Sequence, residues 1–264
     1  MNIFIRELKA NFKSLAIWIG VVILLVIVGA AKFTAYYNDP SMLAVLDALP
    51  KGMVDAMELK AFNLTTVTGF YGIMMIYYAL MGGIAAAMWG SDSISKEERD
   101  KTVEFSLVLP VSRGRVVTGK LLAALVNCVV FVLVTWGVSY AAAQQFHPDA
   151  AFNKFLGLEM AGMFFIELIF LAVGLLLGCA MKQYKQSGNI AIGIILVTYF
   201  LSVITSMQAN LDFLKYFTPF KYFDAGIILQ SGKLDPMYIL LSLVIVVICV
   251  AASYWVYDKR DLYI

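Results

Sequence analysis

The residues from Gly114 to Lys120 read GRVVTGK and resemble a nucleotide-binding motif. In a phosphate-binding loop, backbone amides and a lysine hold the phosphates, and a Ser or Thr after the lysine binds magnesium. Leu121 stands in place of that hydroxyl residue, no predicted strand precedes the motif, and it runs directly into an apolar segment. We therefore expect this chain to bind no cofactor, and any ATP and Mg²⁺ to be held by another subunit.

Other catalytic chemistry lacks the residue types that it needs. His147 is the single histidine, which argues against an HExxH zinc motif and a histidine-based triad. Cys128, Cys179 and Cys249 each lie inside an apolar run, without a CxxC pair, so apolar packing explains them better than a disulfide or a metal site. We find no intrinsic ATPase, hydrolase or metal site in the sequence.

The composition predicts an all-α integral membrane protein. Hydrophobic residues make up 61% of the 264 residues and charged residues 14%, against about a quarter charged in soluble proteins. A helix needs about 20 apolar residues to cross the hydrocarbon core. Six runs meet this length, and one transmembrane domain over residues 1–264 accounts for the chain. The predicted spans are 15–36, 64–89, 116–143, 157–181, 188–207 and 237–257.

Residues 1–14 are predicted to form a separate interfacial helix before the first span. Apolar and basic residues alternate there with helical spacing, as in a helix that lies on anionic lipid. The apolar residues are Ile5, Leu8, Phe12 and Leu15, and the basic ones are Arg6, Lys9 and Lys13. A contact with an ATPase subunit is an equal alternative. A cleaved signal peptide fits less well, because the apolar run exceeds the roughly 7 to 15 residues of a signal core.

The basic residues predict the orientation. With the N-terminus inside, thirteen of the 20 Lys and Arg residues fall on the cytoplasmic side, where basic residues of short loops are retained. We therefore expect a multi-pass protein of the plasma membrane with both termini in the cytoplasm. Topology explains the net charge of +2, so nucleic acid is not an expected partner.

The stretch from Asp92 to Lys120 is unusually polar, holding eleven of the 38 charged residues. Ser93 or Ser95 is predicted to cap a short amphipathic helix, Pro110 to interrupt it, and Ser112 to cap the third span. On the residues alone, a cytosolic docking helix and a solvated loop fit equally well.

The same stretch resembles the cytosolic signature of type-2 ABC exporter permeases. The matching positions are Glu98, Thr102, Glu104, Leu107, Leu109, Pro110, Val111, Ser112, Arg113, Gly119 and Lys120. Lys101 departs from the glycine often found before the threonine. The N-terminal segment, the six spans and the inside N-terminus also fit, so the resemblance extends over nearly the whole chain.

The resemblance implies a permease that pairs with a second permease copy, identical or closely homologous, and with two cytosolic ABC ATPase subunits. Residues 92–110 would be the coupling segment, with a helix over 94–108 that docks in a groove of the ATPase. Expected polar contacts are Glu98, Arg99, Thr102 and Glu104, and expected apolar contacts are Val103, Phe105 and Leu107.

The connection between spans five and six is rich in aromatic residues. Phe213, Tyr216, Phe217, Phe220, Tyr222 and Phe223 surround Pro219. An aromatic belt at the membrane interface is one interpretation. The resemblance implies short re-entrant helices that close the outer end of the transport pathway.

Charged residues within spans are costly and are often functional. Glu167 lies deepest in its span, where it lines the pathway, binds a substrate cation, or packs as a protonated or hydrogen-bonded residue. Lys32 and Glu159 lie near outer ends, where they can snorkel or pair. Gly174 and Gly178 form a GxxxG motif that permits close helix packing. The pathway candidates are Lys32, Glu159, Glu167, Phe217 and Phe220.

The predicted function is export driven by ATP hydrolysis in a separate subunit. The outside loops have no room for a folded capture domain, and Met, Phe and Leu residues suit a hydrophobic or amphipathic compound, such as a peptide or a drug-like molecule. Export of ions is an alternative. A scaffold or assembly factor that transports nothing would have the same spans.

Overall fold

The computed structural model describes residues 3–39, 41, 48–56, 62–99, 112–181 and 184–259. These residues form α-helices and one 3₁₀ helix, and no strand occurs among them. The α-helices are α1 (Ile3–Phe33), α2 (Lys51–Ala56), α3 (Val67–Arg99), α4 (Arg113–Gln144), α5 (Ala150–Ala180), α6 (Tyr184–Met207), α7 (Pro219–Tyr222), α8 (Ala225–Ser231) and α9 (Pro236–Lys259). The 3₁₀ helix, Ala209–Phe217, lies between α6 and α7.

Six of these helices are long and apolar enough to cross a membrane, namely α1, α3, α4, α5, α6 and α9. The predictions of an all-helical fold and of six spans are confirmed. The starts of α1 and α4 and the ends of α3 and α9 meet at one end, which we call the N-terminal end. The connection between α6 and α9 lies at the opposite end, which we call the far end.

Helix α5 is the centre of the bundle. It packs most extensively against α3 and also contacts α9, α4 and α6, while α1 packs mainly on α4. Phe152, Leu156, Phe170 and Leu175 of α5 are fully or almost fully buried. Helices α1, α6 and α9 leave most of their apolar surface uncovered, as expected of helices that face lipid or another subunit.

Glycines bring the backbones of α3 and α5 into contact. A Cβ atom at Gly174 would collide with the carbonyl oxygen of Ala87, and one at Gly178 would lie 2.7 Å from that of Ser91. On the α3 side, a Cβ at Gly90 would collide with the carbonyl of Leu171. The close packing predicted from Gly174 and Gly178 is therefore confirmed.

Two predicted helix starts differ from the structure. Residues 3–14 belong to the same helix as the first span, because no Pro or Gly interrupts them. The prediction that Ser93 or Ser95 caps a new helix is wrong: α3 continues to Arg99, and the Ser93 hydroxyl donates to the carbonyl of Gly90 at 2.7 Å. A membrane helix extends into polar sequence when no breaker stops its hydrogen bonding.

Candidate functional site

A buried charged cluster lies at the N-terminal end, where α1, α3 and α4 meet. The Nζ atom of Lys120 donates to the carbonyl oxygen of Ser93 and lies 3.6 Å from Oε1 of Glu7. Lys120 is 1% exposed and Glu7 4%. We call Glu7, Ser93 and Lys120 the Lys120 cluster. A charge in such surroundings requires its partner, because burial removes the water that would otherwise solvate it.

Further polar contacts hold α1 against α3 near the cluster. The indole Nε1 of Trp89 donates to Oγ of Ser14 at 3.1 Å, and Nζ of Lys96 donates to the carbonyl of Ala10 at 3.3 Å. Gly119 lets the start of α1 approach α4, since a Cβ there would lie 3.1 Å from Cγ2 of Ile3. The N-terminal segment is thus bound to both helices that flank the predicted coupling segment.

The first turn of α4 is fixed by its cap and by α9. The Ser112 hydroxyl accepts from the backbone N–H of Arg115 at 3.4 Å, so the predicted cap is confirmed. The Arg113 guanidinium donates to the carbonyls of Tyr257, at 3.2 Å, and Asp258, at 2.9 Å, near the carboxyl end of α9. Cations are favoured at this end of a helix.

The GRVVTGK residues form a helix and not a phosphate-binding loop. They occupy the first turns of α4, where backbone amides are engaged in helical hydrogen bonds. The ammonium group of Lys120 is directed to Glu7 and Ser93. The segment is therefore part of the helix junction.

The predicted coupling segment is described only in part. Residues 92–99 form the end of α3, including the backbone of Glu98 and Arg99. Thr102, Val103, Glu104, Phe105 and Leu107 lie outside the described residues. The Lys120 cluster includes α3 and α4 just before and just after this segment.

A cavity lies at the far end between α3, α5, α6 and the connection to α9. It has a volume of about 80 Å³, room for several waters. Glu159 of α5 and Lys221 and Asp224 of the connection line it. Tyr77, Tyr199, Phe220 and Phe223 supply aromatic walls, and Met75 and Met163 flexible apolar ones. We call this space the Glu159 cavity.

The connection that covers the cavity has many of its backbone groups satisfied by protein. Oδ1 of Asp224 accepts from the N–H of Gly226, at 2.9 Å, and of Ile227, at 3.2 Å, which caps α8. The Thr218 hydroxyl donates to the carbonyl of Thr198 at 2.8 Å. Gly232 ends α8 in the left-handed conformation, with φ 63°. These contacts hold the three short helices against the bundle.

Tyr222 fixes the middle of the same connection. Its hydroxyl donates to the carbonyl of Tyr216 at 2.5 Å, and its ring stacks on Tyr238 of α9 with centroids 5.1 Å apart. Burial, with a smaller contribution from Tyr238, raises the pKa of Tyr222 to about 12. The phenol therefore stays a neutral donor at physiological pH.

Residues 1–262 match the family described as ABC-2 family transporter protein. The chain belongs to the ABC-2 transporter family. Membership identifies a multi-pass ABC permease and implies association with an ABC ATPase. No curated protein matches the chain.

The ABC-2 permease brings two of its five pathway candidates to the Glu159 cavity. Glu159 and Phe220 line it, and Glu159 is 4% exposed and does not snorkel to the surface. Lys32 is exposed at the end of α1, and Phe217 is 67% exposed at the end of the 3₁₀ helix. Glu167 lies elsewhere, fully buried within the bundle.

Glu167 sits where α3, α4 and α5 of the ABC-2 permease meet. A Cβ at Gly82 of α3 would lie 2.5 Å from Oε1 of Glu167, and the Cys128 thiol of α4 is beside the carboxyl group. Glu167 does not line the Glu159 cavity. This position favours the packing interpretation of Glu167.

The sequence analysis missed Glu7 and Asn11 as buried residues. Glu7, Asn11 and Ser14 follow one another at spacings of four and three. They lie on the same face of α1 as Val22 and Val26, which are buried in the bundle. Extending the apolar stripe of the span backwards into the polar segment would have identified them.

Proposed function

We propose that this ABC-2 permease is the membrane-spanning subunit of an ATP-driven exporter of hydrophobic or amphipathic compounds. It acts with two ABC ATPase subunits and a second permease copy, identical or closely homologous. The complex lies in the plasma membrane with both termini of the permease in the cytoplasm. The ATPase subunits bind ATP and Mg²⁺ and meet the permease at residues 92–110.

The Lys120 cluster is the observation that carries the coupling proposal. Residues 100–111 connect α3 to α4, and Lys120 of α4 binds Ser93 of α3 while it pairs with Glu7 of α1. Separating these groups would leave charge buried without its partner, which is costly. A push on the coupling segment would therefore move the ends of α1, α3 and α4 together.

The basic residues support the proposed orientation. Exposed Lys9 and Lys13 and the half-buried Lys96 and Arg113 are all at the N-terminal end. Cytoplasmic loops and ends of spans carry an excess of such residues. This is the end at which a cytosolic ATPase would dock.

The connection at the far end supports a re-entrant closure of the pathway. Backbone that enters hydrocarbon without spanning it must be covered by protein and hydrogen-bonded. Pro219, Phe220 and Tyr222 are buried against the bundle, and Asp224 and Thr218 satisfy backbone groups. We propose that this connection forms the outer gate.

We propose that the second permease copy packs against α6. The exposed face of this helix carries Asn189 and Gly193 beside Val197, Phe200 and Ile204. A Cβ at Gly193 would meet nothing within 4 Å. Small and polar residues on an uncovered membrane helix favour a helix partner over lipid.

The test begins with tagged permease purified from native membranes together with its ATPase. The purified complex is reconstituted into vesicles, where ATP hydrolysis and transport are assayed. Glu98→Arg and Val103→Asp should abolish transport and weaken ATPase copurification while insertion is retained. Lys51→Glu, a charge reversal at an exposed far-end position, is the matched control and should transport normally. Normal transport by both coupling variants at normal expression would refute the coupling role. Failure to recover any ATPase would favour the scaffold.

A further inference from the structure

We propose that the Glu159 cavity is a binding site for the ammonium group of an amphipathic organic cation. The site combines a buried carboxylate that lacks a hydrogen-bond partner, aromatic walls and a small volume. The proposal extends the proposed export by naming the charge of the compound, yet binding to the cavity requires neither ATP nor transport.

Glu159 supplies the charge that recognises the cation. Its Oε1 atom is buried and makes no hydrogen bond within the described part of the chain. Asp224, by contrast, is fully engaged, because Oδ2 pairs with Nζ of Lys221 at 2.8 Å and Oδ1 caps α8. The oxygen of Glu159 is thus the one left to meet a ligand, and leaving a buried polar atom without a partner is costly.

The charged groups that line the cavity indicate which net charge a ligand should carry. Among the described residues, the titratable groups on its walls are Tyr77, Glu159, Tyr199, Lys221 and Asp224. Lys221 and Asp224 neutralise each other, and the phenols are uncharged near neutral pH. An ionised Glu159 leaves one negative charge in a largely enclosed space, which one monovalent cation would balance.

The walls distinguish an ammonium group from a metal ion. Calcium binds six to eight oxygen ligands, and magnesium demands six in octahedral geometry. Here the remaining described walls are aromatic, thioether and aliphatic, apart from two serine hydroxyls that donate to backbone carbonyls of α6. The rings of Tyr199 and Phe220 stand at 84° to each other with centroids 5.9 Å apart. Aromatic faces attract quaternary and protonated amines through their ring quadrupoles. Met75 and Met163 can adapt to attached carbon atoms.

The size of the cavity limits what enters it. Drug-sized ligands occupy pockets of about 300–1,000 Å³, whereas this cavity has a volume of about 80 Å³. The space therefore suits a head group, with the rest of the molecule outside. Tyr77, on the wall, is 36% exposed, so the cavity borders the surface beside α3. An apolar tail would leave along that surface.

The experiment measures binding to the full-length permease, purified with its copurifying partners, in nucleotide-free phosphatidylglycerol nanodiscs. The probe is radiolabelled benzyltrimethylammonium. Its neutral isostere, neopentylbenzene, has carbon in place of nitrogen and serves as the competitor. We expect saturable binding of the probe. Neopentylbenzene should compete at least about tenfold more weakly than unlabelled benzyltrimethylammonium, because neopentylbenzene carries no positive charge to meet the carboxylate.

Two carboxylates of α5 provide matched variants. Glu159→Gln should weaken binding of benzyltrimethylammonium about 10- to 100-fold, because the probe loses its Coulomb attraction to the carboxylate, which desolvation of the two charges partly offsets. Glu167→Gln removes the other buried carboxyl of the same helix, away from the cavity, and should change binding less than about twofold. Wild-type binding by Glu159→Gln, or equal displacement by neopentylbenzene, would overturn the proposal.

A steric variant covers the case in which Glu159→Gln fails to fold. Ala79 lines the cavity, and Ala79→Leu would fill part of it without touching a charge. This variant should unfold within a few degrees of the wild-type temperature and lose most binding. Full binding by folded Ala79→Leu would place the ligand elsewhere and refute the site. Transport can fail without affecting this result, so the export proposal is tested separately.

Lipid composition separates the two sources of an ammonium group. In phosphatidylcholine nanodiscs the lipid head group itself offers a quaternary ammonium. If a lipid occupies the cavity, the difference between wild type and Glu159→Gln should nearly vanish there and persist in phosphatidylglycerol. If a soluble amphipath is the ligand, the difference should persist in both. If wild type and Glu159→Gln bind the probe equally in both lipids, the site is refuted.

Discussion

Lys120→Met removes the cation of the Lys120 cluster and keeps most of the length of the side chain. Among the described residues, Glu7 would then retain Arg6, at 3.7 Å, whose side chain is 31% exposed. Removing one partner of a buried pair typically costs about 3–5 kcal/mol. Because Arg6 still screens Glu7, we expect the lower end, a loss of about 3 kcal/mol in the free energy of unfolding.

The double variant Glu7→Gln/Lys120→Met separates the pair from its surroundings. At 3.6 Å and an effective dielectric constant of about 20, two unit charges attract by about 4–5 kcal/mol. Desolvation offsets most of this, so the net coupling energy should be about 1–3 kcal/mol. The double variant should therefore be more stable than the sum of the single variants predicts, although Ser93 still loses its donor.

The assay is reversible unfolding in mixed micelles, with Lys96→Met as the control. Lys96 lies at the same end and donates to the carbonyl of Ala10 from a half-buried position, where water still reaches the ammonium group, so its loss should cost less than about 1 kcal/mol. Additive single variants, or a loss in Lys120→Met no larger than in Lys96→Met, would show that the ion pair does not join α1 to α4. The coupling proposal would then lose its physical basis.

Three further predictions test the packing of α3 on α5, the cap of α4 and the contact with a second copy. Gly174→Ala should lower the free energy of unfolding by about 1–3 kcal/mol, because the new Cβ collides with α3, whereas Gly137→Ala, with open space around it, should be neutral. Ser112→Ala should cost about 1 kcal/mol in the same assay through loss of the helix cap. In a cysteine-free background, a bifunctional maleimide should link two copies through Gly193→Cys but not through Leu243→Cys on α9. Equal linking at both positions would contradict a second copy on α6.

The fold was predictable where one local property decides it. Apolar run length set the six spans, because the thickness of the hydrocarbon core sets a minimum. The cap at Ser112 and the contact at Gly174 follow from residue type and short spacing. The predicted start at Ser93 failed because a polar surface does not end a helix when the preceding turns are already formed.

The sites were less predictable, because distant segments assemble them. Lys120 was found through its motif, but its partner Glu7 lies more than 100 positions earlier and was not a candidate. Depth within the span favoured Glu167 over Glu159. The structure places the cavity at Glu159 because the segment after α6 folds over that end of α5. No local sequence pattern on α5 predicts where that segment packs.

The two sites share α3, and α3 packs on α5 of the Glu159 cavity, which suggests how they would communicate. Ser93 of α3 belongs to the Lys120 cluster, and Tyr77 of the same helix lines the Glu159 cavity. Gly90 and Gly174 close the gap between α3 and α5, so one helix cannot slide past the other without backbone collision. A displacement of α3 at the N-terminal end would therefore carry α5 with it. The connection over the cavity packs on both α3 and α5, so movement of this helix pair would reach it.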